Sequence, residues 1–217
     1  MKIVRRLLVS TVTVIVSCIS LNAQSGAYDG FTPYSIYGIG EIAKEGTTFN
    51  KSMGGVGIAT HNKRFINIMN PAAVSATDTL SFMADFSLDQ NNKVFTQGSY
   101  KNVNNTFNMH DFVMCFPLYR SSAFMIGITP FSSVGYTTSQ QITDSQVIGN
   151  TGNVTYASAG EGSVYQLFMA ASATFWKRLS LGAEYLWYFG TIDKTTYLSF
   201  VSDTYRSNNI GSTTTVR

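Results

Sequence analysis

Two histidines, His61 and His110, are the chain's whole supply of imidazole, and His110 is followed directly by a carboxylate, Asp111. A histidine beside an aspartate can orient a general base or tune a metal ligand. On a regular strand, however, neighbouring side chains point to opposite faces, so this pair is expected to be separated. The two histidines lie far apart and have no Cys or carboxylate at metal-ligand spacing. The run Gly54-Gly55-Val56-Gly57-Ile58-Ala59 has the glycine content of a phosphate cradle. It lacks the Lys-Ser/Thr of a P-loop and the third glycine of a dinucleotide fingerprint. No catalytic residue, metal site or cofactor is therefore expected, and the chain does not read as an enzyme.

Asp85 and Glu184 are more informative. Each is the single charge on one face of an alternating segment. In 80–88, Leu80, Phe82, Ala84, Phe86 and Leu88 share a face opposite Ser81, Met83, Asp85 and Ser87. In 179–189, Leu179, Leu181, Ala183, Tyr185, Trp187 and Phe189 oppose Ser180, Gly182, Glu184, Leu186 and Tyr188. Between Tyr165 and Phe175 every second residue is apolar. In 107–118 the same period places His110, Phe112, Met114, Phe116 and Leu118 together, and Phe124, Ile126 and Ile128 begin another such run. A weaker segment lies around 192–205. Period-2 patterns of this kind are β-strands.

The connections alternate in length. Polar, Asn-rich "DQNNKVFTQGSYKNVNNT" (89–106) is followed by tight "YRSS" (119–122), then by long polar "TSQQITDSQVIGNTGNVTYASAGEG" (138–162) and tight "WKR" (176–178). Short turns on one side and long loops on the other characterise an outer-membrane barrel, whose strands need about 9–11 residues to cross. A soluble sandwich would carry more charge on its second face. Charged residues make up only 12% of the chain, against roughly 25% in ordinary soluble proteins. The fold expected is all-β: an antiparallel transmembrane β-barrel, or its N-terminal part, preceded by a hatch segment. Asp85 and Glu184 then face the lumen, where Lys51, Lys63 or Arg64 of the hatch could pair with them.

The first 23 residues read as an export signal, with Lys2, Arg5 and Arg6 before an uncharged run and cleavage after Ala23. "IVSC" offers an alternative, lipidation of Cys18. Without the leader's three basic residues the charge balances at twelve against twelve, which argues against nucleic acid as a partner. Cys115, the remaining cysteine, reads as a small apolar side chain on a strand. Residues 24–78 do not alternate and form the hatch. Residues 79–217 supply five or six strands, fewer than the eight a closed barrel needs, so the chain is expected to be the first part of a longer one.

"SMGGVGIA" (Ser52–Ala59), "NPAA" (Asn70–Ala73) and the opening Pro33–Gly40 together resemble the outer-membrane fatty-acid and hydrocarbon transporter family (FadL-like), in its Bacteroidetes-type versions. Gly54, Gly55, Gly57, Asn70 and Pro71 carry the resemblance, which spans roughly residues 33–190. It implies a fourteen-stranded barrel in the outer membrane of a Gram-negative bacterium, in contact with outer-membrane lipid and passing hydrophobic small molecules such as fatty acids past the hatch. The same family includes members that serve secretion or surface attachment through protein partners, which is the alternative reading. Taken alone, Gly54-Gly55 marks a turn or close approach, and Asn70-Pro71 a turn held in extended geometry.

Overall fold

The computed structural model describes residues 30–76, 82–119, 121–142, 153–176, 178–201 and 209–216. The leader with Cys18, Leu80 and the junction between hatch and first long strand lie outside these residues.

The chain is all-β in its main body. Among the described residues six antiparallel strands follow one another in a meander: β2 (Met83–Gln97), β3 (Tyr100–Tyr119), β4 (Ser122–Ile142), β5 (Asn153–Phe175), β6 (Leu179–Val201) and β7 (Asn209–Val216). A two-residue strand, β1 (Glu41–Ile42), pairs with β4 from the N-terminal segment. Among the described residues β2 and β7 each have a single strand neighbour, so the sheet they form is an open wall.

The apolar sides of β2, β5 and β6 face outward. Phe86 and Trp187 are 57% and 59% exposed, and Phe82, Leu181 and Tyr185 lie on the same surface. Aromatic pairs knit this surface together, Phe82 with Phe116 at 5.1 Å between ring centroids and Tyr165 with Phe189 at 5.9 Å. Across the wall, Gln166, Phe168, Ala170, Ser172 and Thr174 of β5 pair in register with Tyr188, Leu186, Glu184, Gly182 and Ser180 of β6 on the inner face.

The strands are longer than the apolar pattern suggested, up to 23 residues in β5 and β6. The polar stretch 89–106 is no loop. β2 and β3 continue through it as a ladder to a Gly98-Ser99 turn. Most of 138–162 likewise extends β4 and β5. Both faces of these extensions carry mostly polar residues, with Val94, Phe95, Val103 and Val154 scattered between them, so the period that announces a strand by hydropathy is lost although the backbone stays extended. The segment around 192–205 continues β6 to Val201.

A bulge corrects the reading of His110. Ser87 pairs with Asp111 and Leu88 with Met109, leaving His110 as the extra residue. An extra residue interrupts the alternation, so His110 and Asp111 are both buried, 3% and 0% exposed. His110 therefore does not share the outer face of Phe112 and Phe116.

The lower inner face is more apolar than a water-filled lumen. Val113, Cys115, Ala123, Met125, Phe168 and Ala170 pack with Ile66 and Val74 of the N-terminal segment into one core. Cys115 is fully buried there as a small apolar side chain.

Candidate functional site

The N-terminal segment is built around asparagines. Helix α1 (Thr48–Ser52) starts where Thr47 donates its backbone N–H to Asn50 Oδ1 at 3.1 Å, half of a capping box. It stops where the Gly54 and Gly55 amides bond back to Lys51 and Asn50 carbonyls. Both glycines have positive φ, the left-handed geometry that ends helices. Asn67, 8% exposed, donates to the carbonyls of Gly57 and Thr60 at 2.6 and 3.1 Å and accepts from the Met69 amide at 3.1 Å. Asn70 donates to the Ile58 carbonyl at 2.8 Å and accepts from the Ala72 amide at 3.1 Å. Gly57 lies so close to Met69 Sδ and Asn50 Nδ2 that a side chain there would strike them. The loop 54–60 is thus tied to residues 67–70 by side-chain amides that replace a strand ladder.

Sequence reasoning singled out Gly54, Gly55, Gly57, Asn70 and Pro71 but not Asn50 and Asn67, which hold the loop around them. Asn50 stands at the third helical position after Thr47, the one available signal. Gly54 and Gly55 face open space, so their role is to shape a turn.

Three contacts fasten this segment to the inner wall. First, the 3-10 turn Pro71–Ala76 lies on Gly182 of β6, where any Cβ would meet the backbone of Pro71 and Ala72. Ser75, Thr174 and Ser180 hydroxyls form a chain beside it, 2.8 Å at each link. Second, the Lys51 amine contacts the His110 ring at the bulge. His110 Nε2 lies 3.9 Å from Asp111 Oδ2, and neither Asp111 oxygen accepts a hydrogen bond. Burial lowers the Lys51 pKa from its ordinary 10.5, an effect opposed by the charges of Asp89 and Asp111. Third, β1 and its flanks are sewn to β4. Thr32 N–H donates to Gly135 O at 2.9 Å, Ala43 N–H to Phe131 O at 2.8 Å and Gly135 N–H to Ser35 Oγ at 3.1 Å. Lys194 of β6 adds bonds to the Ile36 and Gly38 carbonyls, both at 2.8 Å.

Ser87, His110 and Asp111 now share the inner face, but they form no nucleophilic relay. Ser87 Oγ makes no hydrogen bond, and Lys51 occupies the ring of His110. Asp85 also faces inward, and no ion pair joins Asp85 or Glu184 to Lys51, Lys63 or Arg64 among the described residues. Glu184 instead lines a pocket of about 150 Å³ with Lys44, Glu45, Phe131 and Tyr188.

The wall itself has a seam. β3 and β4 pair only from Phe112↔Ile128 down to Tyr119↔Ser122. Above that level β3 stays with β2, β4 stays with β5, and β1 sits against the β4 side. Phe31 meets Phe95 edge-on at 6.2 Å, and Glu41 pairs with Lys93 at 3.0 Å. A cleft of about 220 Å³ remains between Phe95 and Asn102 of the hairpin and Tyr136–Thr138 of β4.

A family model described as BamG matches residues 3–215. The chain belongs to the BamG family. The family is associated with the outer membrane of Gram-negative bacteria. No curated protein and no solved structure matches the chain. BamG membership overturns the FadL-like assignment and, with it, fatty-acid and hydrophobic-compound transport. The motifs that suggested it have local duties: Gly54-Gly55 ends a helix, Gly57 admits Met69, and Asn70-Pro71 turns the chain onto Gly182. Such turn chemistry is compatible with many folds and carries no transport function of its own.

Proposed function

We propose that the chain forms the wall of an outer-membrane β-barrel that works as a structural partner in barrel assembly, with its N-terminal segment docked against the inner face. Membership of the BamG family, whose name is tied to the BAM complex, is the observation that carries this reading. The outer surface supports it. From Phe82 to Leu88, Phe112 to Leu118, Phe124 to Ile128, Tyr165 to Phe175 and Leu179 to Phe189, the outward positions include no charged residue. A face of that composition suits hydrocarbon and would be poorly solvated by water. The tight turns at 119–122 and 176–178 then lie at the periplasmic side, and the polar upper strands stand above the membrane.

The N-terminal segment supports a structural role. It joins the core of the wall through Ile66 and Val74 and is bonded to β4, β5 and β6, as a fixed part of the inner surface. The reading assigns no reaction, metal or cofactor to the chain. Protein partners in the outer membrane are its expected ligands, alongside the lipid of the bilayer.

The test is affinity purification of the full-length protein from detergent-solubilised outer membranes of its own host. BAM components should co-purify in constant proportion, and the protein should shift in gel mobility on heating. Recovery without them would overturn the reading.

A further inference from the structure

Above Phe112↔Ile128 the backbones of β3 and β4 part, although both run on as strands, β3 on β2 and β4 on β5. The place that β3 leaves on β4 is taken by the chain's own N-terminal segment. Glu41 and Ile42 pair with Ser133 and Ser132, and the Ala43 and Thr32 amides donate to the Phe131 and Gly135 carbonyls. The fit is backbone to backbone: a Cβ on Gly40 would fall on the Ser133 carbonyl, and one on Gly135 on the Gly30 carbonyl. Phe31, Pro33 and Ile36 line the inner cleft between Phe95 and Asn102 of the β2–β3 hairpin and Tyr136–Thr138 of β4.

The two strands are nonetheless matched to each other. Counted on from Phe112↔Ile128, an uninterrupted ladder would set Phe107 opposite Ser133, Val103 opposite Thr137 and Asn102 opposite Thr138. Each strand carries one extra residue in this stretch, His110 against β2 and Phe131 against β5. The two offsets cancel, so the faces stay aligned. Val103 and Thr137 are both exposed, while Asn102 and Thr138 already line one cleft. In that ladder Phe107 would take the position that Glu41 holds now. The upper hairpin is a two-stranded ribbon, marginally stable by itself and stabilised by a third strand.

We propose that residues 30–43 are a releasable wedge that competes with upper β3 for one edge of β4. Docked, the wedge keeps the seam open above the apolar band. Released, it lets Asn102–Phe107 pair along β4 from Ser133 to Thr138, and the wall closes. Two alternative neighbours for one strand edge make a bistable element, because intermediate positions satisfy neither set of backbone bonds. The wedge is tied to the hairpin by the Phe31–Phe95 ring contact and by the exposed Glu41–Lys93 pair, and both ties are lost when it leaves. The switch goes beyond the assembly reading and does not depend on it.

Disulfide trapping in outer membranes of the native host tests it. The full-length protein carries Val103→Cys with Thr137→Cys, or Val103→Cys with Gln141→Cys, four residues further along the same face. Cys115 is fully buried and does not compete. A disulfide needs Cα atoms within about 7 Å, the reach of neighbouring strands in register. With the wedge docked, both pairs should oxidise slowly. Gly40→Ala, which sets a Cβ against the Ser133 carbonyl, should speed the first pair at least about tenfold and leave the second slow. Deletion of residues 30–43 removes the wedge outright and should do the same. An unchanged rate for the first pair after that deletion would overturn the proposal. Equal acceleration of both pairs, the mark of a loose hairpin and not of a ladder, would overturn it as well.

Discussion

Gly182→Val tests how the N-terminal segment is held. A Cβ at this position would lie 2.5 Å from the carbonyl carbon of Pro71 and 2.8 Å from Ala72 Cα. Those atoms are backbone, so no rotamer change relieves the clash, and the turn Pro71–Ala76 must lift from β6. Lifting it exposes Val74, worth about 1.5–3 kcal/mol when fully buried. It also breaks the Ser75–Thr174 hydroxyl bond, worth about 1 kcal/mol. A loss of about 2.5–4 kcal/mol in docking corresponds to a rise of roughly 60- to 700-fold in the undocked population. The assay is maleimide labelling of the thiol introduced by Ala73→Cys, a position 4% exposed, with buried Cys115 as the reference for global unfolding. Labelling at position 73 should accelerate by about that factor, while Cys115 stays protected. Ala183→Val, one residue along and facing outward, should change nothing. Unaltered protection at position 73 in Gly182→Val would refute the close approach on which the docking rests.

Asn67→Ala should free the loop 54–60, since it strands the Gly57 carbonyl and the Met69 amide. The cost is about 2–4 kcal/mol, and limited proteolysis should then cut the loop while the sheet stays resistant. Lys51 has a lowered pKa, so the folded state binds fewer protons there than the unfolded chain between that value and 10.5. Docking of α1 should therefore strengthen as pH rises through this window. Lys51→Met should abolish the dependence, read by labelling of a probe on α1. Gly40→Ala should detach β1, because its Cβ would strike the Ser133 carbonyl. Lys93→Met, which removes only an exposed ion pair, should cost less than about 1 kcal/mol. Hydrogen exchange at the Ala43 amide distinguishes the two.

The strands in contact with the apolar surface were legible because one face there is greasy and the other is not. Leu179–Phe189 and Tyr165–Phe175 announce their inner and outer residues directly. Where that contrast ends, at 89–106 and 138–162, the sequence looks like loop although the ladder continues. The bulge at His110 was equally hidden, since nothing in "NMHDF" marks an extra residue, and its effect is to turn two side chains inward at once. The glycines and Asn70-Pro71 were visible as turn formers. Their partners Asn50, Asn67 and Gly182 were not, because those contacts are made across the tertiary fold. The same generality of turn residues explains why "SMGGVGIA" and "NPAA" suggested a different family.

The most direct test of the assembly role is depletion of the full-length protein in its native host. Outer-membrane barrel proteins should be quantified by mass spectrometry while uptake of a labelled long-chain fatty acid is followed. The account predicts a broad fall in folded barrels, beginning before any change in fatty-acid uptake. Barrel levels that hold steady through complete depletion would contradict it.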